Sequence, residues 1–291
     1  SVIADRIALG VCDYVVTEAG FGADMGAEKM MHIKAASSGI APDCVVVNVT
    51  VRSMKMHGGG FSTGGGKRPR PEEIAKENVE AVREGASLNL SRHIRNMSRF
   101  GVPVIASVNV FPTDTDAEIE ALLEESRKAG ASYAVVSRVH SDGGEGGTDL
   151  ANAVVSACQS HLADGRPFEP LFAPNAPLEE KILRVATNVY GAASIDLSPK
   201  AMKELKTLQN WGYGNLAVCM AKTQYSFSHE MKELGAPSGF TLPIRELRLN
   251  AGAGFIVAIC GTMMTMPGLP RIPAGENMDM DEDGNLLGMF G

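Results

Sequence analysis

The sequence predicts an α/β protein, namely a doubly wound, mostly parallel sheet with helices on both faces, followed by a smaller C-terminal α/β domain. Three observations carry that expectation. Unbroken β-branched runs such as Cys44-Val-Val-Val-Asn-Val-Thr-Val51 read as strands covered on both sides. These runs alternate with segments of helical periodicity, the order that parallel pairing through right-handed crossovers requires. The strand-like runs also end repeatedly in glycine-rich or cation-rich loops, and in an open α/β sheet that edge is where ligands bind.

Ile3 to Leu9 resembles a helix already under way, and the chain opens at Ser1 without an initiator methionine, as a processed chain or a fragment would. Tyr14 to Val16 read as a buried strand over residues 13–18, after which Gly20 and Gly22 permit a tight turn that presents Glu18, Phe21 and Asp24 before a helix-like segment. The strand at 44–51 runs into Arg52-Ser-Met-Lys-Met-His-Gly58, and residues 60–71 form an exposed loop rich in Gly, Pro, Lys and Arg. Helical periodicity spans 72–100, with Gly85 the candidate break. A strand at 103–110 leads to Phe111-Pro-Thr-Asp-Thr115, where Thr115 and Glu118 fit a capping box for a helix through Lys128. A strand at 133–139 leads through His140 and Gly143-Gly-Glu-Gly-Gly147 to a helix at 149–162. The Pro-rich stretch 165–177 marks a boundary, giving domains 1–165 and 166–291. Beyond it come helices at 178–190 and 198–211, a strand at 215–221 ending at Lys222, and strands at 244–249 and 254–260.

Composition bounds the function. A chain of 291 residues, 44% apolar and 21% charged, can bury a substantial core. A net charge of −7 argues against a general nucleic-acid binder. No apolar run reaches the length of a membrane span, about 18 residues, and the N-terminus lacks signal-peptide character. Cys12, Cys44, Cys158, Cys219 and Cys260 stand singly, as reduced, buried thiols of an intracellular protein would.

The motifs narrow it further. A phosphate-binding P-loop is missing: at the nearest approach, Gly66-Lys67, Phe61 stands where glycine is required and Arg68 where Ser or Thr belongs. The Gly143–Gly147 turn suits an anion or tight packing equally. Asp279-Met-Asp-Glu-Asp-Gly284 imitates an EF-hand opening but has Phe290 where the bidentate Glu is needed, so it reads as an acidic turn. The six histidines show no metal-ligand spacing, and no metal site is expected. Arg52, Lys55 and Lys222 each come after a strand, as do Phe21 and Phe111. Cations suit carboxylates or phosphates and aromatic faces suit flat heterocycles, which points to an anionic, ring-containing metabolite.

Several long motifs in register carry a resemblance. Thr17-Glu-Ala-Gly-Phe-Gly-Ala-Asp-Met-Gly-Ala-Glu-Lys29, Thr50-Val-Arg-Ser-Met-Lys-Met-His-Gly-Gly59, Phe111-Pro-Thr-Asp-Thr115, Cys219-Met-Ala-Lys-Thr-Gln-Tyr-Ser-Phe-Ser228, Gly252-Ala-Gly-Phe255 and Met266-Pro-Gly-Leu-Pro270 all resemble the formate–tetrahydrofolate ligase family. The likeness covers the C-terminal portion of that family, without its P-loop region. It implies an ATP-dependent ligase that makes 10-formyltetrahydrofolate through formyl phosphate, with magnesium, a monovalent cation and an oligomeric assembly. On that resemblance domain 1–165 carries the folate-side loops, Phe21 lines the folate pocket, and Phe111 with Pro112 stacks on the pterin. His140 stands where the family usually has a tryptophan against the pterin. Arg52, Lys55 and Lys222 fall on the anion or nucleotide side, and Pro267, Gly268, Leu269 and Pro270 lie near the nucleotide base. The expected partner is an N-terminal P-loop half, attached or separate, in the cytoplasm or alternatively the mitochondrial matrix. The competing expectation is a ligase-derived structural or interaction subunit without catalysis.

Overall fold

Alternating strands and helices build two sheets, seen in a computed structural model that describes residues 1–61, 69–261, 271–282, 284 and 286–288. The chain opens with α1 (Val2–Leu9) and, after an irregular stretch, α2 (residues 23–38), much of it π-wound. Then come β1 (Val45–Val49), α3 (Val51–His57), α4 (Pro71–Ala75), α5 (residues 79–98), β2 (Val104–Asn109), α6 (Asp116–Lys128), β3 (Tyr133–Ser137), α7 (Val139–Asp142) and α8 (Thr148–Asp164). β1, β2 and β3 pair in that order, all parallel, with Val47 opposite Ala106 and Ser107 opposite Val135.

The side-chain period of two explains the layering. Val104, Ala106 and Val108 of β2 enter a core with Ile94, Met97 and Phe100 from the end of α5 and Leu122 from α6. Ile105, pointing the other way, packs on Ala153 and Ala157 of α8. Burial on both faces is why β2 reads as an apolar run without alternation. The Thr115–Glu118 capping box forms as the sequence requires and starts α6.

The second sheet belongs to α9 (residues 178–190), β4 (Ser194–Leu197), α10 (Pro199–Asn210), β5 (Ala217–Ala221), β6 (Thr241–Asn250) and β7 (Phe255–Cys260). Its order is β4-β6-β7-β5; the outer pairs are parallel, but β6 and β7 are antiparallel because a three-residue turn, Ala251–Ala253, joins them directly. Ile182, Val185 and Val189 of α9 and Leu205 of α10 share a core with Val218, Ile244 and Ile256. A two-stranded ribbon, β8 (Asp279–Met280) with β9 (Leu286–Leu287), comes last. Among the described residues no helix is long and apolar enough to cross a membrane.

Four expectations need correction. No strand forms at 13–18: the stretch has no regular structure and is unpaired, with Tyr14 45% and Val16 87% exposed, so the β-type residues lack a ladder rather than β character. β4 is an additional strand, and its four residues, Ser-Ile-Asp-Leu, are too short for a legible period. Cys12 is exposed, not buried, and Cys44 meets Cys158 with the two sulfurs 3.7 Å apart. Gly85 does not divide the helix, which continues from 79 to 98 with a π-wound middle, Ala86–Leu90.

Gly85 is instead a crossing point. A Cβ there would lie 2.0 Å from the Met54 carbonyl oxygen, and one on Gly58 would lie 1.9 Å from that of Ala81, so α3 and α5 touch backbone to backbone. Gly85→Ala must therefore push the helices apart and should cost about 1–3 kcal/mol, as overpacking does. Gly144→Ala is the control, since φ is −60° there and nothing lies within 4 Å of an added Cβ. Urea denaturation monitored by circular dichroism should show a lowered midpoint for the first and an unchanged one for the second.

Candidate functional site

Three parallel neighbours deliver their C-terminal ends to one edge of the first sheet, and a singled-out residue lies just past each. β1 passes through Thr50, whose Oγ1 accepts the Ser53 N–H at 3.1 Å, into α3, and this N-cap sets Arg52 in the first helical turn. β2 leads to Phe111 and Pro112, both exposed; the Phe111 N–H donates to Asp114 Oδ2 at 2.9 Å, which closes the turn. Burial pushes the Asp114 carboxyl above its ordinary range, against that hydrogen bond. β3 leads to His140 in the short, exposed α7. The Arg52 guanidinium lies 5.8 Å from the Phe111 ring centroid, within the range of a cation over an aromatic face.

Phe21 is held out by its backbone. Its φ is +59°, the one non-glycine value in the left-handed region among the described residues, and 84% of it is exposed. Such a conformation costs of order 1 kcal/mol and persists when its surroundings determine it. Here they do: the Gly26 N–H donates to Gly20 O at 2.9 Å, and a Cβ on Gly26 would lie 2.0 Å from that same oxygen.

Immediately after the turn, buried Asp24 accepts from Lys222 Nζ at 2.6 Å, across 198 residues of sequence. Lys222 leaves β5 fully buried, donates also to the carbonyls of Thr223 and Ser226, and sits 4.9 Å over the Tyr190 ring. Burial lowers its pKa and the Asp24 carboxylate opposes that. Four residues on in α2, Glu28 meets His32 Nδ1 at 2.6 Å and Lys29 at 2.7 Å. Burial would raise the Glu28 pKa, but these partners outweigh it and hold the carboxyl below its ordinary value.

Lys55 is likewise engaged. Its ammonium lies 2.6 Å from Glu118 Oε1 and donates to the carbonyls of Ile74 and Lys76, each at 3.0 Å. Of the three cations singled out, only Arg52 keeps an exposed head; Lys55 and Lys222 have internal counter-ions. The Pro267–Pro270 loop lies outside the described residues. Among the described residues no group of three or more His, Cys, Asp or Glu could hold a metal.

The Thr50–Gly59 motif closes on the chain after β5. His57 Nδ1 accepts the Gly235 N–H at 3.1 Å, so that nitrogen is unprotonated, and Asn89 donates to Gly235 O at 2.9 Å. His93, buried beside Phe227 with ring centroids 4.6 Å apart, belongs to the same cluster. Sequence reading misses Asp24 as a counter-ion, Glu118 as more than a cap, and His93 altogether. Long-range pairing leaves no signal in spacing, and a lone histidine in a helix gives none either.

Burial, with His93 nearby, lowers the His57 pKa from 6.5 to about 4, and burial lowers that of His93 too. The unfolded chain takes up these protons at higher pH than the folded one. Stability is thus complete above pH 6.5 and is lost as pH falls towards 4. His57→Gln keeps an acceptor for Gly235 without the titration. Unfolding free energies at two pH values, 7 and 5, should show the wild-type loss exceeding the variant's by about 1–2 kcal/mol.

Comparison with known proteins agrees with this arrangement of motifs. A family model described as formate–tetrahydrofolate ligase matches residues 1–290. The chain is 49% identical over 290 residues to the formate–tetrahydrofolate ligase of Roseobacter denitrificans, 48% over 290 to that of Paracoccus denitrificans and 47% over 291 to that of Symbiobacterium thermophilum. Each alignment covers 100% of this chain and 50% of the relative, so the chain spans about half the length of the curated relatives it matches. The matched extent and the motifs around the sheet edge together establish that the chain belongs to the formate–tetrahydrofolate ligase family.

Proposed function

We propose that this chain is the folate-side, C-terminal portion of an ATP-dependent formate–tetrahydrofolate ligase, working with an N-terminal P-loop half attached or supplied separately. The observation that carries the reading is the Arg52–Phe111 pair at the edge where β1 and β2 end, beside the His140 turn. An exposed ring backed by a guanidinium suits a flat heterocycle bearing negative charge. Phe111 and Pro112 stack on the pterin, Phe21 lines the pocket, and Arg52 meets a carboxylate or phosphate oxygen. Lys55 and Lys222, already neutralised, act by fixing the backbone on the anion side, and Pro267, Gly268, Leu269 and Pro270 border the nucleotide base.

In the reaction, formate oxygen takes the terminal phosphoryl group of ATP, ADP leaves, and N10 of tetrahydrofolate attacks the formyl carbon with release of phosphate. The sequence carries no P-loop signature, so in this reading phosphoryl transfer falls to the P-loop half. This portion binds and orients the folate. Residues 1–165 act as one unit of a doubly wound fold and 166–291 as a second, within an oligomer that takes a monovalent cation. The second reading, an interaction subunit without catalysis, draws on His140, whose ring offers less stacking surface than the tryptophan usual at that position.

Linking this chain to the first half of the Roseobacter denitrificans ligase tests the reading. With ATP, formate and tetrahydrofolate the fusion should form 10-formyltetrahydrofolate. No product from a folded fusion at saturating substrate favours the interaction subunit. Calorimetric titration with a folate analogue should show Phe111→Ala binding at least tenfold weaker, and His140→Trp tighter by about 1–3 kcal/mol, the worth of a stacked ring. Equal affinities for all three proteins would remove the pocket from this edge.

A further inference from the structure

The first eighteen residues are folded inside out. In α1, Asp5 is the buried side chain, paired with Lys34 at 2.6 Å, and Arg6 donates to the Ser38 carbonyl of α2 at 3.2 Å. The apolar residues of the same helix face away: Ile3 is 77% exposed, Ile7 64% and Leu9 49%. The chain then runs through Asp13–Ala19 without regular secondary structure, and none of these residues makes a backbone hydrogen bond to any described residue. Its β-type side chains, Tyr14 and Val16, stand in water. A segment of strand composition whose backbone groups have no ladder is an edge awaiting a neighbour. The first sheet shows a matching gap. β1 pairs only with β2, and Val46, on the face of β1 opposite Val47 and Val49, is 39% exposed, α8 reaching β1 no further than Cys44 at its start.

We propose that residues 13–18 form a β-strand in a sheet whose adjoining strand comes from the other half of the ligase, and that Ile3, Ile7 and Val11 seat against that half. The inference rests on the reading of this chain as one portion of a ligase. The choice of partner comes from length: the curated relatives carry as much polypeptide again as this chain supplies. Main-chain hydrogen bonds give such strand addition its affinity, and the flanking apolar side chains set its register. The strand runs directly into the Gly20–Gly22 turn, so docking it also fixes the root of the loop that carries Phe21.

Hydrogen–deuterium exchange on the fusion with the Roseobacter denitrificans first half, against this chain alone, tests the proposal. Amides 14–18 should exchange freely in the chain alone and at least a hundredfold more slowly in the fusion. Free exchange of these amides in a folded fusion overturns the proposal. So does protection in the chain alone together with a dimer mass by light scattering, which would make a second copy the neighbour. Product formation in the same preparation separates the two readings: product without protection sinks the strand and spares the ligase, and protection without product does the reverse. Val16→Asp should leave the unfolding midpoint of the chain alone unchanged, since Val16 is already in water, yet abolish the protection in the fusion. If the fusion is insoluble, the halves are co-expressed with the first half tagged. Co-purification lost on Ile7→Glu with Val16→Asp supports the proposal. Co-purification indifferent to both, or none at all where the relative's own halves co-purify, overturns it.

Discussion

The contact between Asp24 and Lys222 is the constraint on which the rest of the site depends. It joins the helix that begins just past Phe21 to the end of a strand in the other sheet, through a carboxylate and an ammonium that are both buried. Burying two charges is costly, and an ion pair offsets that cost only when its remaining donors are also met. Lys222 meets them with the Thr223 and Ser226 carbonyls and lies over the Tyr190 ring. The position of the Phe21 turn is therefore set from the second sheet. Asn96, which donates to Val189 O at 2.8 Å, and the paired contacts of Gly235 hold the same two bodies together.

The same economy governs the other lysine. Glu118 answers Lys55, accepts the Asn78 N–H at 2.7 Å and caps α6 through Thr115, so one carboxylate organises three segments. Both lysines that come after a strand are thus committed to holding loops in place. The guanidinium of Arg52 is left over at the surface, against the Phe111 ring. Rigid surroundings and one open cation make a better recognition surface than three mobile cations, because less freedom is lost when a ligand binds.

The elements most legible in the sequence are those whose signal is local. β2 is buried on both sides and reads as a mostly apolar run without alternation; α6 announces itself by its capping box; Phe111, Arg52 and His140 are found at one edge because parallel strands deliver the residues just past their C-terminal ends to the same place. The features that stay hidden depend on contacts distant in sequence. Nothing near Lys222 says that Asp24 will neutralise it, and nothing near Gly85 says that Met54 will lie against it. Residues 13–18 show the converse case: local character points to a strand, but a strand needs a neighbour, and none of the described residues provides one.

Lys55 has one more consequence. Its carbonyl accepts the Gly60 N–H at 2.7 Å, while its ammonium holds the carbonyls of Ile74 and Lys76. The stretch of chain between Gly60 and Ile74 thus leaves and returns to a single residue. One side chain and its own backbone fix the end of α3 against the end of α4, with Glu118 of α6 as the shared counter-ion, so displacing any one of the three segments uncovers a buried charge.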